Sequence, residues 1–221
     1  MANLLSACAA YIAARTMRRS KLSAMNFALE VELPVRIRPE HAMTDEELMR
    51  FCAANDPLRI ERDSNGELIV MSPSGSEGGG TELDVASQLL VWALRDSRGR
   101  AFGSNAGFTL PDGSVRAGDA MWVSWQRWNA LTTEDQKRFA PLCPEFVIEV
   151  RSETDRLSVL QEKMQMWLAN GAELAWLVDP SHKVVEIYRP GHAPEVLEGG
   201  SAVEGDGPVA GFVLELGRIW G

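Results

Sequence analysis

The spacing of apolar positions changes several times along the chain, and each change marks an element. Residues 31–37 alternate as a strand does and run into Pro39. Thr44 with Glu47 three residues on predicts a capped helix start, and Leu48, Met49, Phe51 and Cys52 supply the apolar stripe. Residues 58–62 and 67–71 flank Asp63-Ser64-Asn65-Gly66, which predicts a β-hairpin closed at Asn-Gly. The glycine-rich stretch 72–80 reads as a loop. A helix is expected from about Glu82 to Arg95, with Leu83, Ala86, Leu90 and Leu94 at helical spacing.

Further along, residues 102–110 and 114–116 flank the turn Pro111-Asp112-Gly113. Residues 120–123 form a short apolar strand preceded by Gly118-Asp119. Residues 131–139 read as a capped surface helix. Residues 146–150 read as a buried strand whose apolar run is broken only by Glu149. A helix over about 156–170 carries Leu157, Leu160, Met164, Trp167 and Leu168, and Gly171 ends it. Residues 173–178 and 183–188 form a last hairpin, and Phe212, Leu214 and Leu216 alternate as a final strand. This order predicts an α/β fold, a mixed central β-sheet flanked by helices. It lacks a regular βαβ repeat, which disfavours a doubly wound nucleotide-binding fold.

Length and charge narrow the function. A chain of 221 residues suits one domain, expected over residues 25–221. Residues 1–24 are expected to be an N-terminal extension, disordered or upstream of the true start. Their apolar run is too short to cross a bilayer, its basic residues follow it, and Met25 supplies a second start. A cytoplasmic protein with no membrane partner is expected. The 31 acidic and 22 basic residues give a net charge of −9, which argues against a protein that coats phosphate backbone non-specifically. Contact with nucleic acid would need a local basic groove or bound cations. Three scattered cysteines with no CxxC pair and three scattered histidines with no HExxH argue against a structural zinc site and against histidine-based zinc chemistry.

The chemistry falls on a few charged residues. Asp119 stands at the mouth of one apolar strand and Glu149 inside another. Buried carboxylates are costly unless paired or bound to a cation. Two of them on neighbouring strands would suit Mg²⁺, which takes few protein ligands and keeps several waters. The alternative is that each is a strand-end residue in solvent or in an ordinary ion pair. Arg151, two residues beyond Glu149, projects from the same face of that strand. Lys163 flanks the apolar stripe of its helix and could extend its ammonium toward the sheet, or lie in solvent. Glu77, in the glycine-rich stretch, could deliver a third carboxylate, with Asp84 as a weaker alternative. No GK[ST] follows the glycines, so a P-loop is excluded. The tryptophans read as packing residues.

From about Val31 to Trp220 the chain resembles the Uma family of restriction endonucleases, in the PD-(D/E)XK nuclease superfamily. The resemblance rests on Met43-Thr44-Asp45-Glu46-Glu47-Leu48, Pro57-Leu58-Arg59-Ile60-Glu61-Arg62, Met71-Ser72-Pro73 and Gly118-Asp119-Ala120. It continues through Cys143-Pro144-Glu145-Phe146-Val147-Ile148-Glu149-Val150-Arg151-Ser152, Leu160-Gln161-Glu162-Lys163-Met164, Asn170-Gly171-Ala172, Trp176-Leu177-Val178-Asp179-Pro180 and Gly211-Phe212.

The resemblance implies a restriction-endonuclease-like fold and a Mg²⁺- or Mn²⁺-dependent endonuclease that hydrolyses DNA. It makes Asp119 and Glu149 metal ligands. It makes Lys163 the basic residue that orients or activates the attacking water, displaced from the strand to the following helix. Arg151 fills the slot usually held by lysine, and Glu77 matches a carboxylate placed before the first core helix and is a candidate ligand. Gly118 replaces the usual proline, and residues 78–82 lack the arginine and asparagine that related sequences carry there. DNA is the expected partner, cut by a homodimer, with the turn around Pro180 as a candidate contact surface. The alternatives are a non-catalytic interaction module that keeps the fold, and a hydrolase using the two carboxylates as acid and base on a glycosidic bond.

Overall fold

The computed structural model describes residues 34–221; the expectations for residues 1–24 and for the start of the first strand lie outside that range. The chain opens with β1 (Val35–Ile37), α1 (Asp45–Ala54), β2 (Arg59–Arg62) and β3 (Leu68–Met71). The Thr44/Glu47 capping box is present in full. Glu47 N–H donates to the Thr44 hydroxyl, and the Glu47 carboxylate accepts from Thr44 N–H. Thr44→Ala should therefore lower stability by about 1 kcal/mol in urea unfolding. The β2–β3 hairpin closes as expected, with Gly66 at φ +82°, a conformation that other residues rarely adopt.

Next come α2 (Ser76–Asp96), β4 (Gly99–Gly103), β5 (Phe108–Thr109), β6 (Val115–Arg116), β7 (Ala120–Ser124) and α3 (Trp125–Ala130). Then follow β8 (Phe146–Val150), α4 (Leu157–Ala169), β9 (Leu174–Asp179), β10 (Val184–Tyr188), β11 (Glu195–Glu198), β12 (Ala202–Glu204) and β13 (Val213–Glu215). The main sheet has six strands in the order β11-β10-β9-β8-β7-β4. Only β8 and β9 pair in parallel, with α4 as their crossover, so the sheet is mixed, as expected.

Helices and extra strands cover both faces of this sheet. On one face α2 and the β12–β13 hairpin bury Val85, Leu89, Trp122, Phe146, Trp176 and Phe212. On the other, α4 buries Met164 and Trp167 against Val147, Ala175 and Leu177. A smaller sheet, β1-β3-β2-β6-β5, packs α1 through Leu48, Ile60 and Val70.

Several expectations are corrected. Helix α2 begins at Ser76, so Gly78, Gly79 and Gly80 form its first turns and not a loop. Glycine has poor intrinsic helix propensity, about 1 kcal/mol per residue against alanine, but packing of the long apolar face that follows outweighs that cost. Residues 131–139 hold only one 3₁₀ turn, Asp135–Lys137. The helix lies just upstream as α3, capped by the Ser124 hydroxyl, while Phe139 is drawn into the core of the small sheet. The arm expected over 102–110 is two strands. Phe102 belongs to β4 and pairs with Met121 of β7, whereas β5 pairs with β6. Strands β11 and β12 had no legible signal.

Candidate active site

The antiparallel pairing of β7 and β8 builds the centre. Ala120 lies opposite Ile148, so the residue entering β7 sits beside the residue near the end of β8. Asp119 N–H donates to the Ile148 carbonyl at 3.0 Å, and the Asp119 carboxylate accepts from Val150 N–H at 2.8 Å. The strand crossing is tight. A Cβ on Gly118 would stand 2.6 Å from the Val147 side chain, which gives a packing reason for glycine here.

Glu149 is 3% exposed, so its carboxylate has no bulk water to rely on. Two groups of α4 meet it. Trp167 donates its indole N–H at 2.8 Å, and Lys163 Nζ lies 2.9 Å from Oε1. Lys163 and Trp167 are four residues apart, hence on one helical face. The same ammonium reaches Glu61 of β2 at 3.3 Å and donates to the Ala117 carbonyl at 3.0 Å. Glu61 also accepts from Arg116 at 2.8 Å and from Ala117 N–H. Arg59, two residues before Glu61, donates to Asp119 at 3.2 Å and stands 3.7 Å from Glu82 of α2. Residues of the small sheet thus complete a cluster seated on the large one.

The electrostatics follow from crowding and burial. Burial, with Asp119 and Glu61 as like-charged neighbours, pushes Glu149 up to about 7 despite the opposing pull of Lys163. Glu149, Glu61 and Asp119 together outweigh the burial of Lys163 and hold its ammonium charged, above its ordinary value. Glu61 is lowered, because Lys163, Arg116 and its hydrogen bonds overcome its own burial. Glu82 is raised, by burial first and Asp119 second.

An open groove of about 650 Å³ runs past Asp119, lined by Gly79, Glu82, Leu83 and Ala86 of α2 and by residues 103–106 at the end of β4. Asp119 and Glu149 offer only oxygen donors from two rigid strands. That set suits a hard divalent cation that keeps most of its waters. Among the described residues no group of three or more His, Cys, Asp or Glu side chains forms a closed metal cage, which is compatible with such an open, water-rich site.

The five residues singled out from sequence divide into two groups. Asp119, Glu149 and Lys163 converge. Arg151 does not join them: its guanidinium is held by Asp179 of β9 at 2.6 Å, because β8 ends at Val150 and the neighbouring strand offers the nearer carboxylate. Glu77 sits exposed on the first turn of α2, and among the described residues its carboxylate makes no hydrogen bond or ion pair with the centre. Asp84 pairs with Arg218 at the surface. The residues missed are Glu61, Arg59, Glu82 and Trp167. The first two had a readable signal, since Arg59 and Glu61 place charges at alternate positions of a strand whose partner, residues 68–71, is wholly apolar. Glu82 was hidden by reading the helix start six residues late.

A mixed sheet between helices, with buried strand carboxylates and a helix lysine converging at the strand ends, defines a protein of restriction-endonuclease-like fold. Residues 45–217 match the Uma2 family, described as "Putative restriction endonuclease", and the chain belongs to that family. No curated protein matches the chain. Among solved structures it is similar to a "putative nuclease belonging to DUF820" from Anabaena variabilis. That likeness has 19% identity and a TM-score of 0.64, and covers 80% of this chain and 97% of that one. A partial likeness to a chain of the DrdV–DNA complex, at 15% identity and a TM-score of 0.33, covers 51% of this chain and 9% of that one.

Proposed function

We propose that this member of a nuclease family is a Mg²⁺- or Mn²⁺-dependent endonuclease that hydrolyses DNA phosphodiester bonds. The observation that carries the reading is the convergence of buried Asp119 and Glu149 with the Lys163 ammonium. A bound divalent cation would neutralise the scissile phosphate and lower the pKa of a coordinated water.

The chain's own residues have separable roles. Asp119 and Glu149 would hold the cation, Asp119 being fixed by Val150 N–H and Glu149 by Trp167. Lys163 keeps its proton, so it acts as a donor that orients a water or a phosphate oxygen and not as a proton acceptor. Arg59, parked on Asp119, is within the cluster and free of any strand-internal role for its side chain, so it is suited to contact a non-bridging phosphate oxygen. Trp167→Phe should remove the indole N–H from Glu149 and leave a small cavity in the core, lowering cleavage about tenfold or more and stability by on the order of 2–3 kcal/mol.

The test is plasmid cleavage. The parent should nick supercoiled DNA with Mg²⁺ or Mn²⁺ and not with EDTA, and Glu149→Ala and Lys163→Ala should each lose that activity. Nicking that survives both substitutions would sink the assignment. A folded parent that binds neither cation in calorimetry and cuts nothing would instead be the non-catalytic module.

A further inference from the structure

Each of the two carboxylates assigned to the divalent cation already carries a cation of the chain, and the two chain cations are held very differently. Lys163 is fixed on Glu149, Glu61 and the Ala117 carbonyl, all within 3.3 Å. Arg59, the first residue of β2, makes a single side-chain hydrogen bond among the described residues, to Asp119 Oδ1 at 3.2 Å. Its other contact, Glu82 Oε2 at 3.7 Å, is too long for a hydrogen bond. Its side chain is 26% exposed, against 17% for Lys163. The other Asp119 oxygen, Oδ2, accepts from Val150 N–H, so Oδ1 is the one open to a ligand, and Arg59 sits on it.

We propose that Arg59 is a resident counter-ion that occupies Asp119 until a divalent cation displaces it, and that Glu82 is the positioning carboxylate that receives the released guanidinium; this rests on the metal-dependent nuclease reading. A divalent cation on Asp119 would share that carboxylate with the guanidinium, and like charges a few ångströms apart in a half-buried site repel strongly. One chain cation must yield. Lys163 has three oxygens to leave and Arg59 has one.

Glu82 is placed for the exchange. The Ser74 hydroxyl donates to its Oε1, which leaves Oε2 turned toward Arg59 with no closer partner among the described residues. Closing that gap to the roughly 2.8 Å of a charge-assisted hydrogen bond takes only a small movement of a long side chain. Glu82 and Asp119 line the same groove, so the guanidinium stays beside it throughout. In the cation-free protein Arg59 neutralises Asp119 and is withheld from substrate. Once released to Glu82, it presents its remaining N–H groups to a non-bridging phosphate oxygen in the groove. Cation binding and phosphate recognition are thereby coupled through one side chain.

Calorimetry of the full chain with Mg²⁺ or Mn²⁺ alone, without DNA, reads the competition. Arg59→Gln should bind the cation about tenfold more tightly than the parent, yet nick plasmid about tenfold more slowly or worse at saturating cation. A general loosening of the fold would weaken both. Glu82→Gln should weaken cation binding in the parent background and lose most of that effect in the Arg59→Gln background, where no guanidinium is left to receive. In the parent itself, the Arg59 Nε–H resonance, assigned by its loss in Arg59→Lys, should move on saturation with Mg²⁺. That of Arg62, tied to Asp45 and the Met43 carbonyl, should stay in place. An Arg59→Gln affinity equal to or weaker than the parent's, or an unmoved Arg59 resonance, would overturn the exchange, and a parent that still cuts DNA would keep the nuclease reading. An equal Glu82→Gln loss in both backgrounds would make Glu82 a cation ligand and overturn its receiving role. Tighter binding by Arg59→Gln in a protein that cuts no DNA would leave the exchange standing and overturn the nuclease reading instead. No cation bound by either protein would overturn both.

Discussion

Lys163→Ala is expected to destabilise the protein by about 3 kcal/mol at neutral pH, besides abolishing cleavage. The substitution removes the cation shared by Glu149 and Glu61, two carboxylates that the fold buries almost completely. Arg116 still pairs with Glu61, but Glu149 keeps only the Trp167 indole N–H. Breaking one side of a buried ion pair costs far more than the pair contributes, because each carboxylate left behind must either stay charged without its partner or take up a proton. Lys163→Arg should recover part of the stability and little of the activity, since a planar fork cannot reproduce a point donor among three oxygens. Urea unfolding followed by tryptophan fluorescence reads the loss. An effect below about 0.5 kcal/mol, the range of exposed pairs, would mean that Lys163 lies in solvent and the cluster is not formed.

The pH dependence of this contribution has a definite sign. The Lys163 value is raised in the folded state, so its stabilisation is fully present below the ordinary lysine value of 10.5 and is lost only at higher pH. Glu61 is lowered from 4.5, so its contribution is present above that value and disappears on acidification.

Glu149→Gln should have the opposite effect on stability, and this is the second large expectation. Glu149 ionises near 4.5 in the unfolded chain and near 7 in the folded one. Below pH 4.5 it is protonated in both states and contributes nothing. Between these values the folded protein must either retain a proton or bury a charge. Well above pH 7 the ionised side chain lowers stability by about 3 kcal/mol. The metal-free Glu149→Gln variant should therefore be more stable than the parent at pH 8 and nearly equal to it at pH 4. Thermal unfolding with EDTA at the two pH values measures the difference. Adding Mg²⁺ or Mn²⁺ should raise the parent's Tm at pH 8 and leave the variant's unchanged, because only the parent binds the ion in its folded form. A variant less stable than the parent at pH 8 would show that Lys163 fully compensates Glu149.

Taken together, the two substitutions describe a centre held in tension. Its cationic side is structural as well as chemical, so removing Lys163 weakens the fold. Its anionic side is a cost that the remaining packing carries, as expected where residues are arranged for chemistry and not for stability.

How much of this was legible beforehand depended on whether the signal was local. The capping box at Thr44, the Asn65-Gly66 turn and the helix ending at Gly171 are set by neighbours in the chain, and each was read correctly. Asp119 and Glu149 were legible because a carboxylate bordering or interrupting an apolar strand run conflicts with its surroundings. The pairing of β7 with β8 then supplied what no periodicity contains, the register that sets Asp119 beside Val150.

What only the tertiary structure decided was where the long side chains end. By spacing alone Lys163 read more readily as an ordinary solvated lysine, and the nearness of Glu61, a residue 102 positions away in sequence, decided otherwise. Arg151 had a plausible face but a nearer partner on a parallel strand. Glu77 stood in the right segment, but an early helix start carried it to the surface. Composition and hydrophobic period thus determined the class of fold, the α4 face and the two strand carboxylates, because these depend on burial along one segment. The closed cluster of Arg59, Glu61, Asp119, Glu149 and Lys163 depends on how distant segments pack. That is settled by three-dimensional contacts between segments that no local pattern encodes.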